Sequence, residues 1–190
     1  LLMTAATLAA FAGAILVLFM TPGPGNAAMV ARTLDAGPVH GLAYGLGILT
    51  GDIFWLTTAI TGLAAASAQF ETAGLVIKVL GVSLLLWFGA NALRGFLNPK
   101  PAAPVPPVTR LGLAATYAAG IAMPLSNPKA IIFYLSFLPA FFDLSQVTPA
   151  SYAAMIAIMF AMFVVFAGAY VGLAHKARER LLASGARRWA

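Results

Sequence analysis

Long apolar stretches, each of about twenty residues or more and nearly free of charge, recur along this chain, and helices of that length match a bilayer's hydrocarbon core of about 30 Å. No soluble fold could bury so many of them. Composition agrees: 62% of residues are hydrophobic and 8% charged, where soluble domains carry roughly 25% charge. The expected fold is therefore an all-α, polytopic transmembrane helical bundle surrounded by lipid. With no cysteine, disulfides, thiolate metal sites and thiol catalysis are excluded. A net charge of +6 would suggest nucleic acid as the partner of a soluble protein. In a membrane protein it marks the cytoplasmic side instead, so no nucleic-acid partner is expected.

The spans read as residues 5–33, interrupted by Thr21-Pro22-Gly23-Pro24-Gly25-Asn26; then, after a turn with Arg32, Asp35 and His40, residues 41–66, carrying Asp52. A turn with Gln69 and Glu71 precedes a third span, 73–93, which includes Lys78. Five prolines fall within residues 98–107, too many for a helix, which predicts an extended linker outside the membrane. Residues 111–142 form a fourth segment, interrupted by Met123-Pro124-Leu125-Ser126-Asn127-Pro128-Lys129. A turn with Asp143 leads to a fifth span, 151–174, and then to a basic, amphipathic tail.

The first and fourth segments would measure roughly 43–48 Å as straight helices, longer than one crossing needs. Each carries two prolines near its middle, which predicts two half-helices joined by unwound backbone. Such backbone is tolerated at membrane depth only against protein or a cavity. Pro24 and Pro128 stand 104 residues apart, separated by three spans and the linker. An odd number of crossings turns the second copy over, giving an inverted repeat of the kind found in secondary transporters. Residues 1–97 are expected to form the first three-helix repeat, 98–110 a Pro-rich cytoplasmic linker, and 111–190 a second repeat truncated after its second span, with a sixth span missing from the chain. If each broken segment crosses once, the loops after spans one, three and five hold nine of the eleven basic residues. That side is cytoplasmic and the N-terminus lies outside.

An ionisable residue inside a span is costly and is a functional candidate by default. Asp52 lies at mid-depth and could carry a proton or face a substrate amine; the plain alternative is a buried ion pair with Lys78 or Lys129. Lys78, near a span end, suits snorkelling to the interface. Lys129 adjoins the second break, where its ammonium could bind a carboxylate or compensate unwound carbonyls. At the breaks, Pro24, Gly25 and Asn26, and Asn127, Pro128 and Lys129, expose N–H groups of one half-helix and carbonyls of the other. Together these suit a zwitterion. The glycines of span two, Gly41, Gly45, Gly47 and Gly51, read as close helix packing. Both histidines, His40 and His175, fall in loops, and no paired carboxylates or metal-ligand spacing appear, so neither an enzyme nor a cofactor is expected.

With these residues assembled, the chain resembles the LysE/RhtB family of bacterial amino-acid exporters. The likeness rests on Thr21-Pro22-Gly23-Pro24-Gly25-Asn26, on Gly47 and Gly51-Asp52, on Lys78-Val79-Leu80-Gly81 leading to Trp87-Phe88-Gly89 and Arg94, and on Ser126-Asn127-Pro128-Lys129-Ala130. After Gly81 the chain departs from the family, with Val82-Ser83-Leu84. The resemblance implies proton-motive-force-driven export of an amino acid or similar small solute across the bacterial cytoplasmic membrane, by a protein that can act as a homodimer. A cationic cargo would want more buried carboxylate than Asp52, which favours a neutral amino acid or derivative. Export of an unrelated solute and a purely structural or assembly role are the alternatives.

Overall fold

The structure is a computed structural model that describes residues 4–21, 23–69, 112–138 and 142–186, with the single positions 79, 83, 90 and 94. Lys78, most of the third expected span and the Pro-rich linker lie outside the described residues. Among the described residues, all regular structure is helical: α1 (Ala5–Met20), α2 (Pro24–Ala36), α3 (Pro38–Gln69), α4 (Leu113–Ser126), α5 (Pro128–Ile132), a π turn (Phe133–Phe137), a 3-10 turn (Leu144–Gln146) and α6 (Pro149–Ala186).

Proline sets most of these boundaries. Helices α2, α3, α5 and α6 each begin on a proline, whose missing N–H costs nothing at a first helical position. The residue before a proline is driven out of the α region by the ring. Accordingly Thr21, Gly23 and Asn127 are extended, at φ/ψ of −71/113°, −155/173° and −87/110°. Gly37, between α2 and Pro38, takes φ 91°, a conformation that only glycine adopts cheaply.

Two described helices are long and apolar enough to cross a bilayer, within Pro38–Gly62 and Pro149–Arg180. Helices α1 and α2 meet at a bend of 58° and would make a third crossing taken together. Three expected boundaries move. Arg32 and Asp35 belong to α2 and His40 to the first turn of α3. The Gly37-Pro38 pair alone suffices to turn the chain, so no longer polar turn is needed. Helix α6 runs to Ala186, past the expected end at 174, because its basic residues are good helix formers and no proline or cap stops it.

Helix α3 is the centre of the packing, and its glycines work on two sides. A Cβ on Gly47 would lie 2.8 Å from the Gly120 Cα, and one on Gly51 would collide with the Pro124 ring, so this face meets α4 backbone to backbone. Gly41 abuts Thr33 of α2, while Gly45 abuts both Met29 of α2 and Phe163 of α6. Helices in lipid gain no hydrophobic drive toward each other, so such close approach is what holds them. Beside the glycines, Phe11, Ile15, Leu56, Tyr134, Leu138, Met155 and Met159 form a fully buried cluster. On α6 the opposite face, with Phe160, Val164, Val165 and Leu173, is exposed and apolar, as a helix against lipid should be.

Candidate functional site

The site is built where α1 stops. A helix end leaves carbonyls without intrahelical donors, and here those of Val17, Phe19 and Thr21 are met by side chains. Thr21 returns both its backbone N–H (3.0 Å) and its hydroxyl (2.6 Å) to the Val17 carbonyl. Asn26, in the first turn of α2, donates its amide Nδ2 to the Phe19 carbonyl at 3.3 Å. Lys129, from the other break, donates its Nζ to the Thr21 carbonyl at 3.4 Å. One ammonium thus spans the two interruptions.

The second break follows the same rules. Pro128 has no N–H for the Pro124 carbonyl four residues back. That oxygen accepts instead from the Asn127 N–H at 3.3 Å and from the Trp55 indole Nε1 at 2.9 Å. Asn127 caps α5, its Oδ1 accepting from the Lys129 N–H at 3.1 Å.

Between the two breaks and the glycine face of α3 lies a partly open cavity. A volume of about 90 Å³ within it is open to water-sized molecules. Gly25, Asn26, Asp52, Asn127 and Lys129 all line it. Pro24 and Pro128 do not; they stand outside as the first residues of α2 and α5. Lys78 lies outside the described residues. Asp52 is 4% exposed and, among the described residues, forms no hydrogen bond or ion pair. Lys129 lines the same cavity. The Asp52–Lys129 ion pair weighed from sequence is thus not closed here, and the alternative pair with Lys78 lies outside the described residues.

The rest of the wall is apolar or aromatic: Leu18 and Phe19 from α1, Ile48 from α3, Met123 from α4, and Phe163 and Phe166 from α6. The rings of Phe19 and Phe166 meet edge to face, with centroids 6.2 Å apart. Gly25 keeps its place small because a Cβ there would press on the Ile48 Cδ1 at 3.3 Å. Trp55 and Tyr170 did not stand out in the sequence. Trp55 had a signal, lying three residues after Asp52 and so on the same helical face; the contribution of α6 had none, because its aromatics repeat as any apolar helix does.

Comparison with known proteins places these features among relatives. The family model described as LysE type translocator matches residues 16–190. An uncharacterized membrane protein of Synechocystis sp. is 30% identical over an alignment covering 71% of this chain and 64% of that protein, so the chain spans just under two thirds of that relative's length. An uncharacterized membrane protein of Pseudomonas aeruginosa is 25% identical, over 89% of this chain and 82% of its own. A leucine efflux protein of Enterobacter sp. is 27% identical, over 88% and 82% respectively. No solved structure matches the chain.

Proposed function

The chain belongs to the LysE type translocator family, and from that premise we propose that it is a secondary transporter exporting a neutral amino acid, or a derivative of one, across the bacterial cytoplasmic membrane, driven by the proton motive force. One observation carries this reading. The two proline-led interruptions bound a single cavity that offers a carboxylate, an ammonium and two neutral amides between apolar walls.

A zwitterion fits that set. Its carboxylate goes to the Lys129 ammonium and to the free N–H groups opening α2, where the helix dipole is positive. Its ammonium goes to Asp52. Leu18, Ile48, Met123 and Phe166 then suit an apolar side chain, and relatives named as leucine efflux proteins support the same cargo class. A carboxylate that meets the cargo's ammonium on one side and a proton on the other couples the two: Asp52 binds one or the other, and the exchange is driven by the proton gradient.

The bent pair α1–α2 then acts as one broken crossing, and α4–α5 as its inverted counterpart. In support, both second halves start on proline, and Lys129 bridges the two breaks. The basic end of α6 also meets the C-terminal end of α2, where Arg178 Nε donates to the Leu34 carbonyl at 3.0 Å. This favours a shared cytoplasmic side for the two, with the N-terminus outside.

The test is labelled-leucine counterflow in proteoliposomes, with and without an imposed pH gradient. Wild type should exchange leucine, accumulate it against the gradient and compete with other apolar amino acids. Asp52→Asn should bind leucine more weakly and lose gradient-driven accumulation. Undiminished proton coupling in Asp52→Asn would falsify the carrier role, and no exchange of any amino acid by wild type would refute the cargo.

A further inference from the structure

Tyr134 is wholly buried, and among the described residues its hydroxyl has no hydrogen-bond partner. An unpaired buried hydroxyl carries a desolvation cost that nothing repays, and phenylalanine would fill the same volume without it. The residues around it are apolar: it belongs to the cluster of Phe11, Ile15, Leu49, Leu56 and Leu138. The hydroxyl is therefore unexplained by packing.

Its position supplies an explanation. Leu49, Asp52 and Leu56 are spaced three and four residues apart on α3 and share one helical face. Both leucines pack in the Tyr134 cluster, whereas Leu49 and Asp52 also line the cavity. Asp52 therefore stands on the boundary between the cavity and the Tyr134 cluster, and the two groups are within electrostatic reach of each other. Asp52, too, lacks a hydrogen-bond partner among the described residues. Tyr134 also sits in the π turn of Phe133–Phe137, a distortion that recurs at functional sites.

We propose that Tyr134 is a positioning residue for Asp52: its hydroxyl donates to the ionised carboxylate when Asp52 turns away from the cavity, giving the acid a second resting place between solute-bound and proton-bound states. This rests on the transport reading only for its purpose. Other titratable groups facing Asp52 are Lys129 from α5 and Tyr170 from α6; α1, α2 and α4 bring none to the cavity. Neither Lys129 nor Tyr170 is altered by the test.

The test is a pH titration by infrared difference spectroscopy of the full chain in lipid vesicles, comparing wild type, Tyr134→Phe and Asp52→Asn. The band absent from Asp52→Asn identifies the Asp52 carboxyl. Tyr134→Phe should raise the titration midpoint of that band by about one pH unit, since a charge-assisted hydrogen bond to the ionised form is lost. Its melting temperature should stay equal or rise. An unchanged midpoint overturns the proposal. So does a Tyr134→Phe protein that fails to fold, because the hydroxyl would then be structural. The titration reads Asp52 without any transport, so a failed export assay and a failed Tyr134 prediction remain separate results.

Discussion

Trp55 donates its indole N–H to the carbonyl of Pro124 at 2.9 Å, the same carbonyl that Pro128 deprives of its helical partner. Two residues 69 apart in the chain thereby hold α4 at its break. Pro124 is a buried residue of its helix, where water would not easily replace the donor. An interruption at membrane depth is stable only when its orphaned groups are met in this way.

Replacing Trp55 by Phe keeps the ring but removes the donor, leaving Pro124 with its 3.3 Å bond from Asn127. The expected cost is about 1–2 kcal/mol of stability, read as a lower melting temperature in detergent. A fall in the export rate should accompany it, because the break is part of the cavity wall.

Lys129→Met should act chiefly on cargo affinity. A charge-assisted hydrogen bond to the cargo carboxylate is worth about 1.5–3 kcal/mol, so KM for export should rise about 10–100-fold. Lys129→Arg retains the charge and should recover part of that loss. Equal KM values in wild type and Lys129→Met would remove the carboxylate from this position.

Gly47→Ala should disturb assembly, since the new methyl group meets the backbone of α4 at Gly120 and Ile121. Overpacking of this kind costs about 1–3 kcal/mol. Gly168 is the control: a Cβ there meets nothing within 4 Å among the described residues, and Gly168→Ala should be neutral or more stable by up to about 1 kcal/mol. Thermal melting of the two variants side by side separates contact from composition.

Because the chain has no cysteine, its topology can be read with single substitutions. Both Gln146, before α6, and Arg180, near its basic end, are exposed. In intact cells a membrane-impermeant thiol reagent should label Gln146→Cys and spare Arg180→Cys, with the reverse in inverted vesicles. Labelling of Arg180→Cys but not Gln146→Cys in intact cells would break the assignment of an outside N-terminus.

Much of the fold could be read directly from residues. The length of the apolar runs announced helices, and the prolines at 24 and 128 are the first residues of α2 and α5. Glycines at 41, 45, 47 and 51 announced close packing, although not that one pair would face α4 and the other α2 and α6. Boundaries at polar turns were less legible. Arg32, Asp35 and His40 resemble a loop but are helical, since a helix that leaves the membrane has no reason to end there.

Local chemistry, then, is what the amino-acid order settles by itself: which backbone groups lose their partners, because a proline lacks its N–H wherever it stands, and which charges lie inside apolar runs. Who answers those lost partners depends on distance in space. Only the packed chain brings Lys129 to Thr21, Trp55 to Pro124 and Tyr134 into one cluster with Leu49 and Leu56. The reason is physical: hydrogen bonds and charges act over a few ångströms, and residues separated by dozens of positions come that close only when helices fold against each other.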